Sequence, residues 1–161
     1  GLMVVAKTQP AHQGLSEALK ARRVKKGYLA LATGSVTPVE GQVDAPIARD
    51  PRQRKRMAVV VGGREARTRY RVIERLSERT LLELYLDTGR THQIRVHAAH
   101  SGHPIAGDER YGGDSPGERP ERRDWPLRYL LHSESIRFWH PRLKQDIELA
   151  APLPPDFQAL L

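Results

Sequence analysis

The chain contains no cysteine, which excludes disulfides and thiolate zinc sites and agrees with a reducing compartment. No stretch approaches the ~18 consecutive apolar residues of a membrane-spanning helix. No basic segment followed by an apolar one opens the sequence in the manner of a secretory signal. The expectation is therefore a soluble, cytoplasmic protein without membrane contact. Glycine-rich phosphate loops of the dinucleotide-binding and P-loop kinds are missing, so nucleotide-cofactor readings lose support. Ser16, Ser35 and Ser133 lack the Gly-x-Ser-x-Gly setting of a hydrolase nucleophile. Internal repeats and low-complexity tails are also absent. Acidic residues are too few to balance the basic ones: 27 Lys and Arg against 19 Asp and Glu leave a formal charge of +8.

What is present is a basic chain of moderate size. Its 161 residues suit one domain, which can bury roughly 68–70% of its unfolded surface. An apolar fraction of 39% is ordinary for an α+β domain with one wet face. The positive excess and a pI of about 10.2 point to a polyanionic partner. Arginine outnumbers lysine by 21 to 6, and its planar fork suits phosphates and stacked bases. A bias in codon composition would raise arginine as well.

Periodicity then places the elements. Residues 2–6 form an apolar run, read as a buried strand. Residues 10–23 read as a helix with Ala11, Leu15, Ala18 and Leu19 on one stripe and Pro10 in its first turn. Residues 27–34 make a strand ended by glycine, and 35–56 are turn-rich through Pro38, Gly41, Pro46 and Pro51. Strand character resumes over 57–61 before a Gly62-Gly63 turn. Arg67, Arg69 and Arg71 alternate with Thr68, Tyr70 and Val72, which predicts one basic face and one packing face. Leu82, Leu84 and Leu86 repeat the alternation beyond a turn at 77–79, so the two segments should pair as a hairpin. Thr91 is placed to cap a helix over 92–101 that Gly102 ends. Residues 107–126, rich in glycine, proline and charge, read as an exposed loop. Two closing strands (130–140 and 146–150) and a short helix (156–161) complete an α+β fold. Its sheet is expected to be mixed and mostly antiparallel, with few helices.

Several side-chain groupings invite a chemical reading. His92, His97, His100 and His103 suggest a metal site, but Gly102 and Pro104 interrupt their helix and no carboxylate lies among them. Local hydrogen bonding or phosphate contact suits them better. Asp108 and Glu109 follow Gly107, where acids commonly fix a turn, and Asp87 before Gly89 reads the same way. Arg49, Arg52, Arg54, Lys55 and Arg56 place five cations in eight residues. With the arginines at 67–71 they would form a continuous phosphate-binding surface. In Lys25-Lys26-Gly27-Tyr28 the cations precede an aromatic at a strand start. Tyr28 is either a packed strand tyrosine or a stacking platform for a base.

These residues also carry a resemblance. GRTHQIRVH (89–97) and KGYLAL (26–31), with VDAPIARDP, GHPIAGDERYGG, LLHSESIRFWHP and APLPPDF in order, resemble the RluA-type pseudouridine synthases. They are nearest to those acting on large-subunit ribosomal RNA. The resemblance implies a mainly antiparallel sheet with a central cleft and no metal or cofactor. It implies cleavage of a uridine's C1′–N1 bond, rotation of the base and rejoining through C5, after the uridine is flipped from its stack. Tyr28 would stack on the uracil and assist proton removal at C5, and Arg95 would pair with the catalytic aspartate. Arg90, His92 and Gln93 would build or brace the cleft. Lys25, Lys26, Arg49, Arg52, Arg54, Lys55, Arg56, Arg67, Arg69 and Arg71 would meet RNA.

The family's aspartate lies in a motif resembling Arg-Leu-Asp-x-x-Thr-Ser-Gly, whose last residue matches Gly1. The expectation is thus a partial catalytic domain over 1–161, with that motif and any S4-like amino-terminal module outside it. Such a chain should be inactive alone, and its Arg95 should lack a carboxylate partner. A monomer acting on ribosomal RNA, with transfer RNA as a second candidate, is expected. The rival is a non-catalytic RNA-binding module using the same basic cleft.

Overall fold

The alternation in the middle of the chain becomes a six-stranded sheet in the computed structural model, which describes residues 1–112, 128–140 and 142–161. The elements are α1 (Gln9–Lys20), β1 (Lys25–Thr33), β2 (Glu40–Asp44), β3 (Ile47–Arg49), β4 (Met57–Val59), β5 (Arg67–Arg75) and β6 (Arg79–Leu86). They continue with α2 (Gln93–His100), β7 (Leu131–His140), β8 (Gln145–Ala150) and α3 (Pro155–Gln158). The sheet runs β2-β5-β6-β1-β7-β8, and β3 pairs with β4 separately. The α+β class holds, and every pairing among the described strands is antiparallel.

β1 lies inside the sheet and is buried on both faces. Ala30, Leu31 and Ala32 are each 0% exposed. Ala30 and Ala32 pack with Leu82, Leu84, Ile94 and Ile105 under α2, while Leu31 meets Leu81, Leu130 and Phe157 on the other side. Thr68, Tyr70 and Val72 face the core as the alternation predicts. A bulge between Val72 and Glu74 then shifts the β5–β6 register.

Four local expectations are corrected. Residues 1–6 are irregular, with Met3 83% and Val5 73% exposed. β7 is already paired with β1 and β8, so this run contributes one strand-like bond, Leu2 N–H to the Ser133 carbonyl at 2.8 Å. The turn-rich stretch holds two short strands, β2 and β3. β2 is an edge whose Glu40, Gln42 and Asp44 point to solvent, so it has little apolar signal to read. α1 starts behind a Thr8 cap and ends at Lys20; Leu15 and Ala18 pack toward Val24, Ile136 and Phe138, but Leu19 is half exposed. His92, in left-handed geometry (φ 56°), takes the N-cap of α2 in place of Thr91. Its other end is as expected. Gly102 (φ 80°) closes a Schellman turn, with Gly102 N–H on Ala99 O and His103 N–H on Ala98 O.

Candidate active site

Tyr28 stands on β1 where the register against β7 shifts, opposite Leu84 on one side and Ser133 on the other. Gly27 permits this closeness, since a Cβ there would run into the Ser135 hydroxyl. The Tyr28 ring is half-buried and packs beside the α2-side core. Burial pushes its phenol above the ordinary tyrosine value, and a hydrogen bond with Ser133 opposes that. Tyr28 and Lys26 line one open cavity of about 300 Å³, together with Leu2, Leu15, Ser133 and Phe138. Burial also lowers the Lys26 ammonium, whose Nζ lies 3.8 Å from the place a Cβ on Gly89 would occupy. The KGY segment and the start of GRTHQIRVH therefore meet in space. Lys25 is exposed at the strand's beginning.

Arg95 is not without a partner. Its Nε and Nη2 donate to Asp108 at 2.6 and 2.7 Å, with side chains 11% and 1% exposed. The guanidinium also lies 4.8 Å from the Tyr111 ring centroid and 4.2 Å from that of Tyr129. The expectation of an unpaired Arg95 is overturned, as is the exposed-loop reading of residues 107–112, where Asp108 and Tyr111 are buried. The cause is backbone pairing. Ile105 bridges Ala32, and Ala106 N–H donates to Leu31 O at 2.8 Å, which delivers Asp108 to Arg95. Residues 113–127 lie outside the described part of that loop.

The rest of the motif is bracing. Gln93 is 2% exposed. Its amide oxygen accepts from Thr88 Oγ1 and Arg90 N–H, and its nitrogen donates to Arg67 O and Thr68 Oγ1. With these bonds its amide is fully engaged, and it braces the turn against β5. Arg90 donates to the Glu65 carbonyl at 2.9 Å. His92 Nδ1 lies 2.8 Å from the Tyr111 hydroxyl, and burial, then Arg95, lowers its basicity. His97 is 1% exposed. Its Nε2 reaches Ala45 O, which can only accept, so that nitrogen carries the hydrogen and Nδ1 accepts from Thr68. Both nitrogens are engaged, and His97 offers none to a metal.

Burial lowers His97 below the ordinary histidine value of 6.5. Between 6.5 and the folded value the unfolded chain binds the extra proton, so stability is complete above 6.5 and falls as pH drops. The melting temperature should therefore decline from pH 7 to 5. His97→Gln should flatten that decline, and an unchanged slope would discard the assignment.

The arginines of β5 do not form a bare basic face. Arg67 pairs with Asp44 (2.8 Å), Arg69 with Asp87 (3.0 Å) and Arg71 with Glu83 (2.7 Å). The predicted continuous surface from 49 to 71 is thus broken by a ladder of neutralised cations. The 49–56 group behaves differently. It forms the turn between β3 and β4, where Asp50 Oδ1 accepts the N–H groups of Arg52 and Gln53. Arg49 donates to the Arg54 carbonyl, and Arg56 lies 5.1 Å from the Tyr111 ring centroid. Arg52, Arg54 and Lys55 are exposed and make no ion pair among the described residues. Sequence reasoning passed over Tyr111 and Tyr129 as site neighbours, and nothing short of the tertiary pairing of 105–108 would have found them.

A family model described as RNA pseudouridylate synthase matches residues 1–100. Over its whole length the chain is 47% identical to an uncharacterized RNA pseudouridine synthase of Chloroflexus aurantiacus, covering 49% of that protein. It is 48% identical to ribosomal large subunit pseudouridine synthase D of Nitrosomonas europaea, covering 47%. The chain thus spans about half the length of these relatives. Among solved structures, human RNA pseudouridylate synthase domain containing 1 superposes with a TM-score of 0.80 at 28% identity, over 96% of this chain and 66% of that one. Human RNA pseudouridylate synthase domain containing 4 gives 0.75 at 27%, over 98% and 69%. With its antiparallel sheet and with Tyr28 set beside the GRTHQIRVH turn, the chain belongs to the RNA pseudouridylate synthase family, in its RluA-type branch.

Proposed function

We propose that the protein converts uridine to pseudouridine in RNA, with large-subunit ribosomal RNA as the first candidate substrate and transfer RNA as the second. The observation that carries this reading is the half-buried Tyr28 lining a cavity with Lys26 beside Gly89. In the reaction the C1′–N1 bond breaks, the uracil turns, C1′ bonds to C5, the C5 hydrogen leaves as a proton and N1 gains one. Tyr28 offers a ring to stack on the uracil and a hydroxyl for the C5 proton. Lys26 supplies positive charge at the cavity wall. The nucleophilic carboxylate is supplied by neither Asp87 nor Asp108. Both are engaged by arginine, and neither lines the Tyr28 cavity. Gly1 packs so tightly on the Ser133 backbone that a Cβ would collide with it.

The test uses the full gene product and ribosomal RNA transcripts labelled with tritium at uridine C5. Tritium release, with pseudouridine found in the digested RNA, is expected. Tight RNA binding without release would favour the non-catalytic binding module.

Phosphate contact falls to the turn between β3 and β4. Replacing Arg52, Arg54 and Lys55 with glutamine should weaken RNA binding for all sequences. It should also reduce the salt slope by about 0.7 for each single-strand phosphate that is no longer neutralised. Glutamine at Arg69 and Arg71, which are neutralised by Asp87 and Glu83, should leave the slope nearly unchanged. Titration at several salt concentrations separates the two sets.

A further inference from the structure

A second cavity, of about 250 Å³, lies between α2 and the β2–β5 end of the sheet. Its walls are apolar, formed by Val36, Pro38, Leu82, Leu84 and Ile94. Tyr70, Ser101 and His103 complete them and keep hydrogen-bonding capacity to spare. The Tyr70 and Ser101 hydroxyls have no hydrogen-bond partner among the described residues. His103 Nδ1 lies 3.0 Å from the Thr33 carbonyl, which can only accept, so Nδ1 carries the hydrogen and Nε2 is left to accept. The Tyr70 ring end rests on the bare backbone of Gly41, where a Cβ would lie 2.6–2.9 Å from its Oη, Cζ and Cε1. No Lys, Arg, Asp or Glu lines the cavity, in a chain of which 29% is charged. A phosphate would find no counter-charge there, so the cavity suits a neutral ligand.

Tyr70 shares a cross-strand row with Tyr28: Tyr28 stands opposite Leu84, and Leu84 stands opposite Tyr70. Opposed residues point to one face of a sheet, and two strand spacings make roughly 10 Å. That exceeds the roughly 3.4 Å between stacked neighbours along one strand of a duplex. A nucleotide close to one held at Tyr28 spans the gap only with its own base unstacked. An uncharged planar ring with hydrogen-bonding edges matches apolar walls that carry a few polar groups. The volume, below the roughly 300–1,000 Å³ of drug-sized ligand sites, suits one base and no longer segment. We propose that this cavity takes a second, unpaired base of the RNA, a near neighbour in sequence of the uridine at Tyr28. The choice of ligand rests on the isomerase reading above. The base lies against the Tyr70 ring and bonds to Tyr70, Ser101 and His103 at its edges.

The test uses the full gene product and short ribosomal RNA transcripts in which each nucleotide in turn is made abasic, with RNA affinity as the readout. Besides the target, one nearby abasic position should weaken binding by about 5- to 150-fold, the range for a stacked base. Ser101→Trp, at an exposed position with φ −79°, fills the cavity. It should weaken intact RNA to a similar degree and lose the sensitivity to that abasic position, because both changes remove one contact. Tyr70→Phe keeps the ring and should cost about two- to tenfold, the worth of one neutral hydrogen bond. Dichroism establishes that both variants are folded. Sensitivity that persists in Ser101→Trp would place the base elsewhere and overturn the proposal. So would transcripts that all bind alike outside the target, even if free adenosine or uridine shifts the His103 ring signals, which would give the cavity to a free nucleoside. Tritium release by the unaltered protein is read in parallel. Release without the coupling removes this proposal alone, whereas coupling without release keeps the base site and removes the isomerase reading.

Discussion

Asp108→Ala is expected to lower the free energy of unfolding by about 3–5 kcal/mol, the usual result of removing one partner from a buried ion pair. The size follows from what remains. Arg95, with its side chain 11% exposed, would keep its charge but lose both charge-assisted hydrogen bonds. The nearby rings cannot make up the difference, since a cation–π contact contributes about 0.5–2 kcal/mol. Distance alone would not predict this effect. Arg71 and Glu83 approach to 2.7 Å, as close as Arg95 and Asp108, yet the Arg71 side chain is 58% exposed. Glu83→Gln should therefore change stability far less, because water screens and replaces that pair. Urea unfolding of the two variants against the unaltered protein is the measurement. Equal shifts in the two midpoints would show that burial does not govern the Arg95 pair.

The same contrast explains what the sequence could and could not show. Period-two patterns identified β5 and β6, because alternate residues of each face the core and alternation records that directly. β1 showed as an apolar run because it is buried on both faces, and β7 and β8 were placed as closing strands although β8 is exposed apart from half-buried Ile147. Alternation failed for β2, an edge strand with three solvent-facing polar residues, and the apolar run at 2–6 misled, because Met3 and Val5 are exposed and the run bonds to the sheet through Leu2 N–H on Ser133 O. Alternation also placed Arg67, Arg69 and Arg71 on one face correctly but could not say what stands across from them. That depends on register: Asp44 lies opposite Arg67, and Glu83 lies opposite Arg71. The site divides in the same way. The resemblance picked out Tyr28 and GRTHQIRVH, and the fold brings Lys26 to Gly89. The Arg95–Asp108 pair, by contrast, is created by the backbone pairing of Ile105 and Ala106 with β1, which leaves no periodic trace.

Tyr28→Phe is expected to slow tritium release by about 10²–10⁴-fold, the range over which a positioned acid or base acts, with RNA affinity little changed. Phenylalanine keeps the ring that would stack on uracil and removes only the hydroxyl. A loss of rate without a loss of binding would therefore assign proton transfer to that oxygen. The pH profile adds an independent sign. Burial holds the Tyr28 phenol above its ordinary value of 10.0, with the Ser133 hydrogen bond only partly offsetting this. At neutral pH less than about one molecule in 10³ would carry the phenolate. If the phenolate removes the C5 proton, the single-turnover rate should climb about tenfold per pH unit between 7 and 9. No plateau should appear in that interval, because the folded value lies above it. Tyr28→Phe should abolish the climb. A flat profile together with a fully active phenylalanine variant would reduce Tyr28 to a stacking surface and move the base elsewhere. Lys26, with its depressed ammonium on the same cavity wall, would then be the next group to replace.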